Sequence, residues 1–182
     1  ALPLFVWMGE ILFRTKLSEN LFKGLSPWMQ KLPGGLIHVN VVGCALFAAI
    51  SGSSAATVAT VGKMSIPELR KRKYPEKILL GSLAGSGTLG LLIPPSIILI
   101  IYGVAVQESI AKLFIAGIIP GIMIALIFMS YVIIWSLINK KKMPKISEKY
   151  SFLEKIKRSK QLLPVIILIS GVIGSIYTGV AT

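Results

Sequence analysis

Along this chain, stretches without Lys, Arg, Asp or Glu alternate with short, strongly charged connectors. The charge-free runs cover residues 32–62, 78–107, 113–139 and 161–182. A helix needs about 20 apolar residues to cross the hydrocarbon layer of a membrane, and each run reaches that length. Hydrophobic residues make up 54% of the chain and mean hydropathy is +0.78. The pattern predicts an all-α integral membrane protein lying in a lipid bilayer.

Residues 1–13 read as the end of a spanning helix, with Glu10 and Arg14 at pairing distance in sequence. Residues 15–31 form an amphipathic connector carrying Leu17, Leu21, Phe22, Leu25 and Trp28 at rough helical spacing, with Trp28 as an interfacial anchor. Pro33-Gly34-Gly35 ends it. The run 32–62 is interrupted by Ser51-Gly52-Ser53-Ser54, which divides it into limbs of residues 36–50 and 55 to about 64. Each limb is too short to cross, and two half-helices meeting at a Gly/Ser tip describe a re-entrant hairpin. The chain begins without Met and its last run ends flush with Thr182, so it reads as a fragment of a longer protein, and no basic leader precedes the first run.

Charge separates a hairpin from a straight crossing. Lys and Arg number 4 over residues 14–31, 6 over 63–77, 1 at Lys112 and 9 over 140–160. If residues 36–62 crossed, the two sides would hold 15 and 5. If they form a hairpin, the split is 19 against 1. The positive-inside rule favours the hairpin, with its mouth on the cytoplasmic side. The same rule accounts for the net charge of +13 without nucleic acid as a partner.

The second interruption is Gly85-Ser-Gly-Thr-Leu-Gly-Leu-Leu-Ile-Pro-Pro-Ser96. Pro94 and Pro95 lack the N–H groups that the carbonyls of Gly90 and Leu91 would use, and their rings clash with the preceding turn. The run 78–106 therefore breaks into two half-helices around an unwound link. Residues 107–112 form an external loop, 113–138 cross back with a kink at Pro120-Gly121, 139–160 form a basic linker whose Phe152, Leu153 and Ile156 can lie on the interface, and 162–180 cross again. Three regions follow: 1–35, a helix end plus connector; 36–106, a re-entrant hairpin and a broken helix; 107–182, two crossings and their linker.

Several chemistries are excluded. Gly85-x-Gly87-x-x-Gly90 matches a dinucleotide fingerprint but lacks the preceding strand. His38, alone among apolar residues, is a packing residue and no metal ligand. Ser53 and Ser54 have no partner base for nucleophilic catalysis, and no apolar run holds paired carboxylates, so the chain is not read as an enzyme. Cys44 is a small packing residue. What remains is a tip with Ser51, Ser53, Ser54 and Thr57 beside a broken helix with Ser86, Thr88 and the carbonyls up to Pro94. Hydroxyl and carbonyl oxygens without a carboxylate suit a monovalent cation such as sodium, and the ends of half-helices suit ions and carboxylates. Simple close packing of small residues is the competing reading.

Pro3-Leu-Phe-Val-Trp-Met-Gly-Glu-Ile-Leu12, Leu32-Pro-Gly-Gly-Leu-Ile-His-Val-Asn40, Ile50-Ser-Gly-Ser-Ser-Ala-Ala56, Gly90-Leu-Leu-Ile-Pro-Pro-Ser-Ile97 and Ala116-Gly-Ile-Ile-Pro-Gly121 resemble, in order, the large membrane subunit of tripartite ATP-independent periplasmic (TRAP) transporters. The resemblance covers the whole chain. It implies an elevator-type, sodium-driven importer of organic acids of the C4-dicarboxylate or sialic-acid type, in the bacterial inner membrane. It also implies a small (Q-type) membrane subunit, a periplasmic binding protein that delivers substrate, and no cofactor beyond sodium as coupling ion. The family has two hairpin and broken-helix units of inverted topology, of which this would be the first. The implied sodium site is Ser51, Ser53 and Ser54 with Gly87, Thr88, Ile93 and Pro94, mainly through backbone oxygens, and Ser54, Thr57 and Ser96 would face substrate. Many relatives carry an acidic residue soon after the tip, where this chain has Ala55, Ala56 and Thr57. An ion-coupled anion carrier without a binding protein is the alternative, and a non-transporting membrane scaffold is a third reading.

Overall fold

The computed structural model describes residue 7, residues 17–144 and residues 150–178, and among these it is helical with no strand. The expected first helix and the Glu10–Arg14 pair lie outside the described residues, Trp7 excepted.

Helix α1 (Leu17–Met29) is the amphipathic connector. Leu21, Phe22 and Leu25 are buried on one face, and Glu19 and Lys23 pair one turn apart on the other. The chain then turns through Gly34 and Gly35, at φ +105 and +54. Gly35 is required twice over, because a Cβ there would also strike the Tyr74 hydroxyl 2.5 Å away. That hydroxyl accepts the Leu36 N–H at 3.0 Å and so covers one of the donors a helix start leaves bare.

Helix α2 (Ile37–Ser51) is apolar on every side and buried along almost its whole length, as a central helix must be. Its Phe47, Ile50 and Cys44 pack with Val61 and Leu83, and its Val39 with Leu69 and Leu79. At about 1.5 Å per residue it is about 22 Å long, short of the ~30 Å hydrocarbon layer. It ends at Gly52, which takes a left-handed conformation (φ +59) and returns its N–H to Ala48 O. Helix α3 (Ser54–Lys71) starts at once, with Ser53 as N-cap. Gly43 on α2 faces Val61 on α3, each nine residues from Gly52, so the two helices run back alongside each other. The expected hairpin turn is present. The second limb, however, continues seven residues past Met64. Beyond Lys63 the helix turns amphipathic, with Lys63, Arg70 and Lys71 exposed and Leu69 buried, and an Arg72–Glu68 pair at 2.8 Å lies across its end.

Helix α4 (Glu76–Gly87) passes into a 3-10 turn (Thr88–Leu91), an irregular link, and helix α5 (Ile97–Val106). The break is narrower than the sequence suggested, since Gly85 and Gly87 remain helical. The proline pair stops the chain, while glycine at 87 and 90 serves close approach. Helix α6 (Ile110–Ile138) starts three residues after Gln107 closes α5 and is continuous through Pro120. It is about 43 Å long, and it is the one helix among the described residues long and apolar enough to cross a membrane. Its Gly117 and Gly121 sit against Leu92 O and Ile93, at 2.8 and 2.9 Å from where a Cβ would stand, so the broken segment lies in a groove of small residues. Helices α7 (Phe152–Ser159) and α8 (Leu163–Tyr177) follow; Leu162 fits over Gly24 of α1, and Val165 joins the α2 core.

Candidate functional site

The tip of the α2–α3 hairpin and the α4–α5 break meet backbone to backbone. The Ile97 N–H, a donor that the start of α5 leaves without an intrahelical partner, bonds Gly52 O at the end of α2 at 3.1 Å. The negative end of one half-helix thus meets the positive end of another. A Cβ at Gly90 would stand 2.8 Å from Ser54 N and 2.9 Å from Ser53 O, and one at Gly87 would collide with Val58. Two glycines separated by one 3-10 turn let the broken helix lie flush against the tip.

Oxygen atoms crowd this junction. Ser51 is buried; its Oγ is 2.8 Å from Thr57 Oγ1 and donates to Ser53 O at 3.3 Å. Ser53 O also accepts the Thr57 hydroxyl at 2.7 Å and the Thr57 N–H at 3.0 Å. Across the break, the Ser96 hydroxyl donates 2.8 Å to Leu91 O, one of the two carbonyls that the prolines deprive of a helical donor. Thr88 Oγ1 donates to Gly85 O at 2.7 Å.

The sequence-chosen residues divide accordingly. Ser53 and Ser54 are brought against Gly87 and Gly90, Ser51 bonds within the tip to Ser53 and Thr57, and Ile93 and Pro94 lie further along the broken link. Ser54 and Ile93 are half-buried and Pro94 is buried. Thr88 is exposed on the far side of its turn. Thr57 and Ser96 are fully buried with their hydroxyls engaged, which leaves Ser54 as the partly open hydroxyl of the three chosen to face substrate. His38 is buried with Nε2 2.7 Å from Pro33 O, and Cys44 is buried and free, as packing residues should be. Among the described residues, no cluster of three or more His, Cys, Asp or Glu could hold a metal.

Sequence reasoning passed over Asn40. Its Nδ2 donates to Leu79 O at 3.2 Å and Ser82 Oγ at 3.0 Å, and Ser86 Oγ donates to Asn40 O at 3.4 Å. These bonds fasten α2 to α4 one helix-length below the tip. An Asn inside an apolar run, with serines four apart in the next helix, was the available signal.

The tripartite ATP-independent periplasmic transporter DctM-component family matches this chain over residues 1–182. The chain belongs to that family. Its relatives include the C4-dicarboxylate TRAP transporter large permease protein DctM of Pseudomonas aeruginosa, 36% identical over all of this chain and 42% of that protein. The sialic acid TRAP transporter large permease protein SiaM of Vibrio cholerae is 35% identical over 98% of the chain and 42% of its own length. The ectoine/5-hydroxyectoine TRAP transporter large permease protein UehC of Ruegeria pomeroyi is 35% identical over 99% of the chain and 41% of its own length. The chain thus spans about two fifths of these curated TRAP permeases. Residues 32–40, 50–56 and 90–97, picked out above as TRAP-like, form the turn into α2, the hairpin tip and the break, the three places where the helical pattern yields to backbone geometry.

Proposed function

We propose that this chain is the first of two inverted units of a sodium-coupled TRAP permease in the bacterial inner membrane, and that its hairpin re-enters the membrane without crossing. Substrate would arrive from a periplasmic binding protein, with a small membrane subunit alongside the permease. The observation that carries the reading is the backbone contact between tip and break, Ile97 N–H to Gly52 O with Gly90 against Ser53 and Ser54. It sets the Ser53 carbonyl against Gly90, and in this reading the ion would lie between the tip oxygens of Ser51 and Ser53 and the link of Ile93 and Pro94. A desolvated sodium ion needs such oxygens and no formal negative charge. The half-helix length of α2 and the charge distribution support the re-entrant reading.

The substrate is a small organic acid. C4-dicarboxylate, sialic acid and ectoine, the compounds named for the three relatives above, share a carboxylate. The start of α3 at Ser54 offers N–H groups and the positive end of a helix dipole to such a group, with Thr57 and Ser96 shaping the wall behind it. Because tip and break pack as one unit, an elevator movement would carry ion and substrate together.

The test is uptake of a radiolabelled organic-acid panel by the full-length permease, with its small subunit and binding protein, in proteoliposomes. Uptake should require an inward sodium gradient, should fail with potassium in its place and should depend on the binding protein. Sodium-independent uptake would refute the coupling. Uptake without the binding protein would favour the alternative, a self-sufficient ion-coupled carrier.

A further inference from the structure

Helix α7 leaves an apolar face bare. Phe152, Leu153 and Ile156 are 67%, 76% and 45% exposed. Another side of the same helix is in use. Lys155 is buried with its ammonium 5.2 Å from the Trp28 ring, and Trp28 Nε1 donates to Ser159 Oγ at 2.8 Å. Ser159 lies seven residues from Phe152 and so shares its side of the helix. Trp28, itself exposed, therefore borders the apolar face. A lysine turned inward and three large apolar side chains turned outward invert what water selects.

The chain fixes where this face lies. Helix α6, apolar over 29 residues, ends at Ile138 and is followed by the exposed Lys140–Lys142. A single 3-10 turn, Lys160–Leu162, joins α7 to α8, whose 15 residues carry no charge. Consecutive crossings leave and re-enter a bilayer on one side, so α7 is tethered close to that surface. Lys157 and Lys160, one and two turns beyond Leu153, are exposed beside the apolar face, where their stems can lie along it and their ammonium groups reach phosphates. Three side chains of an eight-residue helix fall far short of the roughly 800 Å² per partner that a stable protein interface buries. A membrane surface needs only such a face with a basic border.

We infer that α7, with Trp28 of α1 beside it, lies flat in the cytoplasmic surface of the bilayer, with Phe152, Leu153 and Ile156 among the phospholipid acyl chains and Lys157 and Lys160 at the phosphates. The foot reaches the hairpin through α1. Trp28 bonds Ser159, Leu162 fits over Gly24, and Leu21, Phe22 and Leu25 of α1 pack with residues of α2 and α3. The depth of the hairpin is thereby referenced to the lipid surface. This rests on the membrane placement above and not on the sodium reading.

The test uses the full-length permease with its small subunit in phospholipid nanodiscs, free of other reactive cysteines. Nitroxide labels are placed at Leu153→Cys and, on the opposite face, at Arg158→Cys. Power-saturation electron paramagnetic resonance reads each label's access to oxygen, which concentrates in hydrocarbon, and to a water-soluble nickel chelate. The Leu153 label should favour oxygen several-fold and the Arg158 label the chelate. Phe152→Ser with Ile156→Ser should shift the Leu153 label toward the chelate, since the two lost side chains are worth roughly a hundredfold or more in partition. If Leu153→Cys does not fold, a label at Ile156→Cys decides. A Leu153 label open to the chelate would place the face in water, and one shielded from both reagents would place it under a protein partner; either result would overturn the inference. Because no transport is read, its failure is distinct from loss of sodium-driven uptake.

Discussion

Replacing Gly90 by Ala adds one methyl group at the closest approach of break and tip. Gly90 is not in the left-handed region, so Ala can keep the backbone, and the effect is steric. The methyl would meet Ser54 N and the carbonyl of Ser53 at 2.8–2.9 Å. These are backbone atoms held by the Thr57 and Ile97 bonds and unable to swing aside. Overpacking of this kind costs about 1–3 kcal/mol, while losing a glycine from the unfolded chain returns about 0.4–1 kcal/mol. The net expectation is destabilisation of about 1–2 kcal/mol. Gly81→Ala is the control, since a Cβ there meets nothing within 4 Å and helix propensity alone should stabilise by about 0.5–1 kcal/mol. Thermal unfolding of the full-length permease in detergent should show Gly90→Ala below wild type, by on the order of 2–4 °C, and Gly81→Ala at or above it. A Gly90→Ala protein as stable as Gly81→Ala would refute the backbone contact on which the site is built.

Other outcomes follow from the same packing. Asn40→Ala removes the bonds to Leu79 O and Ser82 Oγ and should cost about 1–3 kcal/mol, read as a lowered unfolding temperature that Asn40→Gln does not restore, because the longer amide does not fit between α2 and α4. Gly117→Ala sets a methyl 2.8 Å from Leu92 O and should destabilise the permease through the α6 groove, while Gly171→Ala, with nothing within 4 Å, should not. The hydrogen bonds from Arg70 hold the exposed Glu76 carboxyl below its ordinary 4.5. That depressed value makes a contribution to stability that is full above the ordinary pKa and lost as pH falls through the folded one. Glu76→Gln should therefore lower the unfolding temperature slightly at pH 7, and the difference from wild type should shrink as the pH falls below the ordinary carboxylate range.

The two interruptions of the helical pattern were legible because each rests on local backbone chemistry. Ser51-Gly52-Ser53-Ser54 supplies a left-handed turn and an N-cap, and Pro94-Pro95 removes two donors. What was not legible depended on neighbours distant in sequence. Gly85 and Gly87 looked like helix breakers, yet they stay helical because their lack of a side chain is used against Phe128 and Val58. Charge located the end of apolar surroundings near Lys63, but the helix continues to Lys71 since its polar face needs no burial. The Asn40 bonds to residues 79 and 82 and the Trp28 bond to Ser159, 131 positions away, join elements whose proximity only the fold establishes.

The central claim is that tip and break together hold the coupling ion. It is tested most directly by titrating sodium against uptake in proteoliposomes for wild type, Ser51→Ala, Ser54→Ala and the remote Ser159→Ala. The account predicts that Ser51→Ala and Ser54→Ala raise the sodium concentration for half-maximal uptake about tenfold, as loss of about 1.4 kcal/mol of ion binding would, with uptake recovering at high sodium and Ser159→Ala unaffected. Half-saturation unchanged in both tip variants would contradict it and leave the junction as close packing alone.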